Sequence, residues 1–430
     1  MSVSLKDVPE NTLFKFVKSE KTKDAYESSI TILANVDYYW YNSTPGCIAN
    51  PYLVQLGFCT YRMPKETWAE FQVEIETDSI KQLNLKTKNF FQLRALTGWD
   101  PELFVVDEKN KIIPAFEFLP PKPMALNIKR YMYPQTLYSD GFASEWTCGV
   151  HDCHGWGIDT IREGIKRTFY AARAHNPKAN VTLQNTFIIS PIRMKRYNDE
   201  QIRLGCNPSK NAYGDEPIQI LDARKVGFRS AGGHIHFSIS EYWKKTATRD
   251  NWGALAQGMD LFLGLPCVAL FSGIDNPLRR TLYGRAGEYR TPPYGIEYRV
   301  LSNAWLGMPE ITHLVMNTAR SATKLGRLTK EELNGLMAPE ELKEIINVCD
   351  VPRARAFVEK HWNLFLNLSD LGSFNLSKKL WMDGVKHHFP NYDTQILENW
   401  LIPESPIQLD PWIAHSNDSK KTWGQLATKL

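Results

Sequence analysis

Acids, histidines and arginines recur along this chain at spacings that would place them on one face of a β-strand. In Gly98-Trp99-Asp100-Pro101-Glu102-Leu103-Phe104-Val105-Val106-Asp107, Asp100 and Glu102 are two residues apart, so in an extended strand they point the same way. Two carboxylates on one face repel unless a cation lies between them. A hard divalent ion such as Mg2+ takes oxygen ligands from a few carboxylates and from substrate phosphates. The same pair also fits a turn that carries two acids by chance. In Ala231-Gly232-Gly233-His234-Ile235-His236-Phe237-Ser238 the two histidines share one strand face while Ile235 and Phe237 point into a core. The paired glycines admit close approach of another backbone or a ligand. Such histidines suit a metal or a phosphate, or a polar patch that simply satisfies them.

The stretch Arg285-Ala286-Gly287-Glu288-Tyr289-Arg290-Thr291-Pro292-Pro293-Tyr294-Gly295-Ile296-Glu297-Tyr298-Arg299 reads as a hairpin that turns at Pro292 to Gly295. With Thr291 paired to Ile296, Arg290 lies opposite Glu297 and Tyr289 opposite Tyr298. Arg290, Glu297 and Arg299 then share one face and the tyrosines the other. Guanidinium forks suit phosphate and carboxylate oxygens; a cross-strand ladder of ion pairs is the alternative. In Asp140-Gly141-Phe142-Ala143-Ser144-Glu145-Trp146, Gly141 suits a turn, Asp140 is assigned to forming it, and Glu145 falls in an extended segment. If all these strands line one sheet, their charges converge, and burying them unpaired would cost several kcal/mol each. Divalent metal with a polyphosphate would neutralise them, which describes a nucleotide site built without a phosphate loop. Neither G-x-x-x-x-G-K-[ST] nor G-x-G-x-x-G occurs.

The elements that must hold these residues are short. β-like runs occur at Leu103–Val106, Val181–Ser190, Gly233–Ile239 and Glu297–Leu301. Ile158, Ile161, Ile165 and Phe169 have helical spacing, as do Ile311, Leu314, Thr318 and Ala322, with Thr318 the polar member. Strands and helices do not alternate strictly, which favours an α+β fold with a mainly antiparallel sheet over a doubly wound one. Residues 1–90 carry short strand-like runs (Ser29 to Leu33, Phe71 to Ile75) and turn clusters such as Asn42 to Gly46, and form an N-terminal extension in this reading. Residues 91–326 hold the chemistry, and 327–430 form a charged, helical C-terminal region. The most apolar window, Ala254 to Phe271, contains Gln257, Asp260 and Pro266 and is expected to be a buried helix rather than a membrane span. The first residues, MSVSLKDVPENTLFKF, lack the apolar centre of a signal peptide. The seven scattered cysteines fit reduced thiols in a cytoplasm. A formal net charge of +4 over 430 residues does not demand nucleic acid as a partner.

The ordered set Gly-Trp-Asp-Pro-Glu-Leu-Phe, Asp-Gly-Phe-Ala-Ser-Glu, Ala-Gly-Gly-His-Ile-His and Tyr-Gly-x-x-Gly-Glu-Tyr-Arg followed by Gly-Ile-Glu-Tyr-Arg-Val-Leu-Ser-Asn-Ala-Trp resembles the carboxylate–amine ligases found in phage genomes. That family belongs to the glutamine synthetase and glutamate–cysteine ligase superfamily. The resemblance spans about residues 96 to 306 and does not specify substrates. It implies a glutamine-synthetase-like curved sheet with helices on one face. It also implies use of ATP with Mg2+ or Mn2+ to form an amide from a small-molecule or peptide carboxylate and an amine, by way of an acyl phosphate. By the same resemblance, Glu102 and Glu145 are ligands of the metal nearer the acceptor carboxylate, and Asp100, His234 and Glu297 are ligands of the metal that bridges the ATP phosphates. His236 becomes a phosphate contact. Arg285 and Arg290 become the pair that holds the transferred phosphoryl, with Arg299 facing the acyl phosphate or the substrate carboxylate. Lys122, in Pro-Pro-Lys-Pro, resembles a lysine of the phage group and is assigned to ATP, and Asp275 is a candidate base for the incoming amine. Relatives often carry a third acid near the Glu145 position; Trp146 to His154 offers only Asp152. The superfamily often assembles its sites in rings, which is compatible with a homo-oligomer although the sequence does not fix the oligomeric state, and for a phage-encoded chain the location is the host cytoplasm.

Other readings stay open from sequence. A guanidino kinase of the same superfamily would transfer phosphate and stop, and a phage structural protein would keep the fold without the chemistry. Cys148-Gly-Val-His151-Asp-Cys153-His154 has zinc-binding residue types but no second knuckle, and a polar loop beside the site is expected there.

Overall fold

A computed structural model describes residues 13–15, 29–31, 33–35, 38–42, 60–64, 96–128, 135–151, 154–202, 209–217, 223–238, 249–322, 330–361 and 392–405. Its centre is one sheet of ten strands: β1 (Leu96–Val106), β2 (Ile112–Ile113), β3 (Leu126–Ile128), β4 (Gln135–Asp140), β5 (Ala143–His151), β6 (Asn180–Thr182), β7 (Lys210–Asn211), β8 (Gly233–Ser238), β9 (Glu288–Arg290) and β10 (Gly295–Tyr298). The order across the sheet is β7-β9-β10-β8-β1-β5-β4-β3, with β2 and β6 paired to the far end of β1. Every pairing is antiparallel, so the mainly antiparallel sheet expected from sequence is present.

Strand period 2 sorts the residues into a helical side and a polar side. Trp99, Leu103, Ile235, Phe237, Ile296 and Tyr298 are buried in the main core. Over them lie the helices α1 (His154–His175), α2 (Arg249–Met259), α3 (Leu265–Leu270) and α4 (Pro309–Ala322). The spacing read from sequence holds: Ile158, Ile161, Ile165 and Phe169 are fully buried, and on α4 Ile311, Leu314 and Ala322 are buried while Thr318 is half-buried. The indole of Trp146 lies where a Cβ at Gly164 would stand, so α1 approaches β5 this closely only because Gly164 has no side chain. The apolar stretch Trp252–Leu270 is long and apolar enough to cross a membrane, yet it is wholly buried in the protein, as its polar residues suggested. Between α2 and α3 the chain makes a π-helical turn, Asp260–Gly264, at which Asp260 accepts hydrogen bonds from the hydroxyls of Tyr298 (2.7 Å) and Tyr213 (2.9 Å). Burial pushes the Asp260 carboxyl up to about 7.

The helices α5 (Lys330–Leu336), α6 (Pro339–Val348) and α7 (Val351–Lys360) join the same core through Leu342, Ile345, Phe357 and Val358. The segment 392–405 is fastened to it by buried donors: Arg162 Nε and Nη2 to the carbonyls of Trp400 (2.8 Å) and Leu401 (2.6 Å), and the Trp400 indole to the Leu306 carbonyl (2.7 Å).

Three expectations need correction. The run Val181–Ser190 is two strands, not one. Asn180–Thr182 extends the main sheet, whereas Thr186–Ile188 pairs with Phe228–Ser230 in a separate ribbon. The break lies at Asn185, whose buried amide turns away to the Ile274 carbonyl and Asp275. The run Glu297–Leu301 is strand only to Tyr298, because Ser302 then caps a short 3-10 turn, Asn303–Leu306. Cys148 is not in a polar loop: it lies within β5, opposite Trp99 and buried in the main core. Burial holds its thiol well above the ordinary range. Strand-like Ser29 to Leu33 is realised in short strands, Ser29–Thr31 and Leu33–Asn35, while Phe71 to Ile75, the turn after Asn42 and Asp152 lie outside the described residues.

Candidate active site

On the polar side of the sheet, registry alone assembles most of the expected residues. His234 stands opposite Asp100, His236 opposite Gly98 and Glu297, Arg290 opposite Glu297, and Glu145 opposite both Glu102 and Tyr138. The hairpin register inferred from sequence is thus found residue for residue, with Tyr289 opposite Tyr298 on the core side. The polar strip on β1 is short: past Glu102, Phe104 and Val106 enter a second small core with Phe142, Phe187 and Met194.

The first cluster is acidic. Carboxylate oxygens of Glu102, Asp140 and Glu145 lie within 4.8 Å of one another. Glu102 Oε2 accepts from the Gly232 amide (2.7 Å) and the Tyr283 hydroxyl (2.9 Å). Glu145 Oε1 accepts from the Tyr138 hydroxyl at 2.5 Å and is 3.9 Å from Lys122 Nζ. Burial, then the charge of Asp140, pushes Glu102 up to about 7. Burial, then Asp100, Asp140 and Glu102, holds Glu145 well above the ordinary carboxylate range. Three crowded carboxyls, with Glu102 and Glu145 raised by burial and by their acidic neighbours, form a site that a hard divalent cation would relieve.

The second cluster mixes signs. Glu297 is gripped by the Arg290 fork, Nε to Oε2 and Nη2 to Oε1, both at 2.6 Å. Arg299 Nε is 3.2 Å and His234 Nδ1 3.5 Å from Glu297 Oε1. His236 Nε2 is 2.9 Å from Asp100 Oδ2, and the Tyr294 hydroxyl is 2.8 Å from His236 Nδ1. Burial works against a charge on His236, but Asp100 outweighs it and raises its pKa; for Asp100, His236 and Lys122 outweigh burial and lower it. His234 is driven well below the ordinary histidine range by burial, then by Arg299 and Arg279, so it is a neutral imidazole. Its Nε2 is buried and has no hydrogen-bond partner among the described residues, which leaves it open to a metal or another donor. The donor set of carboxylates and one free imidazole fits Mg2+ or Mn2+.

The glycine pair before His234 has the close approach its sequence suggested. Gly233 accepts a bond from the Trp305 indole on its carbonyl (3.2 Å), and a Cβ there would overlap that indole and the Ser302 carbonyl. Gly232 turns its amide to Glu102, so this short stretch ties β8 to β1 at the acid cluster.

Two expected residues lie apart from both clusters. Arg285 binds Glu288 Oε1 (2.8 Å) and the Glu216 carbonyl (2.9 Å), and touches neither cluster. Asp275 is buried between Arg280 Nη2 (2.8 Å) and the Asn185 amide (3.0 Å), contacts that lie outside both clusters. Sequence reasoning missed Asp140, assigned only to a turn. The signal was present: in a two-residue hairpin Asp140 pairs Ala143 and Tyr138 pairs Glu145, so Asp140 shares the face of Glu145. Tyr138 on its strand, Tyr283 in a loop and Tyr294 in the hairpin turn were also missed, because a single tyrosine has no signature of its own.

Residues 202–340 match the model of a family described as Phage phiEco32-like COOH.NH2 ligase-type 2. Over that third of the chain the sequence is similar to that family, in line with the resemblance its motifs carry; the segment includes His234, His236, Arg285, Arg290, Glu297 and Arg299. No curated protein matches the chain. Among solved structures, a bifunctional glutathione synthetase from Pasteurella multocida is similar at 11% identity and a TM-score of 0.32, over 74% of this chain and 53% of that one. This chain therefore spans about half the length of that synthetase. A novel glutamine synthase homologue is similar at 10% identity and a TM-score of 0.30, over 85% of this chain and 87% of that one. Likeness at this level bears on neither substrate nor mechanism.

Proposed function

We propose that the chain is an ATP-dependent carboxylate–amine ligase that forms an amide through an acyl phosphate. The observation that carries this reading is the convergence, on one sheet face, of the Glu102, Asp140 and Glu145 carboxylates with the Asp100, His234, Glu297 and Arg290 group. A carboxylate is a poor electrophile. Transfer of the ATP γ-phosphoryl to one of its oxygens breaks the β–γ linkage, releases ADP and leaves an acyl phosphate. An amine then attacks the acyl carbon, loses a proton, and phosphate departs.

Bound Mg2+ or Mn2+ would supply neutralisation of the carboxylate and phosphate oxygens in the two clusters. Glu102, Asp140 and Glu145 would hold one ion. Asp100, His234 and Glu297 would hold a second, with the free His234 Nε2 as a ligand atom. Arg290 lies at the edge of the site with its side chain one-third exposed, so its fork can serve a phosphoryl group as well as Glu297. Arg299 is buried and hydrogen-bonded to Ser209 (2.6 Å), which suits bracing Glu297 more than travelling with substrate. Lys122 is mostly exposed, beside Glu145 and over the Tyr138 ring, and reaches the site from the opposite edge as a mobile cation for ATP oxygens. His236, held between Asp100 and Tyr294, would meet phosphate with its orientation already fixed.

Incubation of the protein with ATP, Mg2+ and a panel of carboxylates and amines tests the reading by mass spectrometry. ADP, phosphate and an amide are expected. AMP and pyrophosphate would rule out the acyl phosphate route, and a stable phosphorylated product without amine would make the protein a kinase.

A further inference from the structure

We propose that the cleft beyond the far end of β1 binds a free amino acid, taking its carboxylate on arginine and lysine and its ammonium group on Glu117. The cleft has a volume of about 440 Å³, within the range of roughly 300–1,000 Å³ usual for small-ligand sites. It opens at Asp107, just past the end of β1 and five residues beyond Glu102, or about 16 Å along an extended chain. The small core of Phe104, Val106 and Phe142 separates it from the acid cluster. It is therefore a second site rather than an arm of the first.

Three cations line it. Arg193 is fixed in place, its Nη2 on the Ile112 carbonyl (2.7 Å) and its Nε on the Tyr197 hydroxyl (3.2 Å), which leaves Nη1 available among the described residues. Lys111 and Arg196 are exposed at the rim and form no ion pair among the described residues. A fixed guanidinium beside two adaptable cations is a ready receptor for a carboxylate, and its fixed geometry reduces the cost of ordering. Asp107 adds a negative charge to the lining, its Oδ1 engaged by the amides of Lys109 (2.8 Å) and Lys111 (2.9 Å), but the three cations outnumber the two carboxylates, Asp107 and Glu117.

Glu117 sets the ligand class. It lies in the same cleft, 3.3 Å from His175 Nε2 and partly exposed. A phosphate or other multiply charged anion would meet it as a like charge. A zwitterion would place its ammonium there and its carboxylate on the cations. Ile113, Pro114 and Tyr197 supply apolar surface for a side chain.

Isothermal titration of the full chain, without nucleotide or divalent metal, tests this independently of the ligase reading. Each common amino acid is titrated, then the N-acetyl and amide forms of the best binder, then inorganic phosphate. At least one amino acid is expected to bind, and each form lacking one charge about tenfold or more weakly. Arg196→Ala and Glu117→Gln, both at partly or fully exposed positions, should each weaken binding, whereas Glu102→Gln should leave it unchanged. Absence of binding by every amino acid overturns the proposal. So does binding that survives both cleft variants, or phosphate binding tighter than that of any amino acid. Failure of the ligase assay with intact amino-acid binding would sink the ligase reading and leave this site standing.

Discussion

Glu102 and Glu145 face each other directly across the β1–β5 pair, with Asp140 beside them. Like charges opposite one another in a sheet are destabilising, so the metal-free protein must carry a strain that depends on pH. Burial raises Glu102 to about 7 from an ordinary 4.5. A group whose folded pKa is raised contributes stability that is fully present below its unfolded pKa and lost as pH rises through the folded one. The loss from Glu102 is on the order of 3 kcal/mol between about pH 4.5 and pH 7. Thermal melts with EDTA should therefore show the wild type losing stability over that window relative to Glu102→Gln, which has no proton to release. Parallel pH profiles for the two would refute the assigned strain.

The same protons compete with a cation. Mn2+ affinity, read by electron paramagnetic resonance, should rise with pH through about 7 as Glu102 ionises. An affinity flat from pH 6 to 8 would place the metal elsewhere.

Asp140 separates a ligand from a turn residue. Asp140→Asn can still accept the bonds a turn needs, so folding should be unaffected. Loss of one carboxylate charge should weaken Mn2+ binding on the order of tenfold or more. Unchanged affinity would return Asp140 to the turn role that its sequence first suggested.

Arg290→Ala should lower ATP turnover on the order of a hundredfold or more while the protein stays folded, because Arg299 and His234 still hold Glu297. Arg290→Lys should rescue little, since an ammonium cannot reproduce the two-pronged contact. Turnover above about a tenth of wild type in Arg290→Ala would remove this residue from the mechanism.

Much of the site was legible because strand period and hairpin register are local properties. Two-residue spacing placed Asp100 with Glu102 and His234 with His236, and the Pro292 to Gly295 turn fixed Arg290 against Glu297. Other features depend on contacts distant in sequence. Arg285 has the spacing of a phosphoryl ligand, yet Gly287 adopts a positive φ of 75° and turns the chain, so Arg285 meets Glu288 instead. The break at Asn185 answers to Asp275, ninety residues away. Asp140 was obscured by its neighbour: an Asp-Gly pair signals a turn so strongly that the face on which the turn leaves the aspartate went unread.

The central claim is that this sheet face is a metal–nucleotide site, and calorimetric titration of a non-hydrolysable ATP analogue with and without Mg2+ tests it most directly. Binding should require Mg2+, should be lost or strongly weakened in Glu102→Gln, and should persist in Asp107→Asn, whose side chain keeps the oxygen that accepts the Lys109 and Lys111 amides. Equal affinity with and without Mg2+, or full binding in Glu102→Gln, would contradict the account.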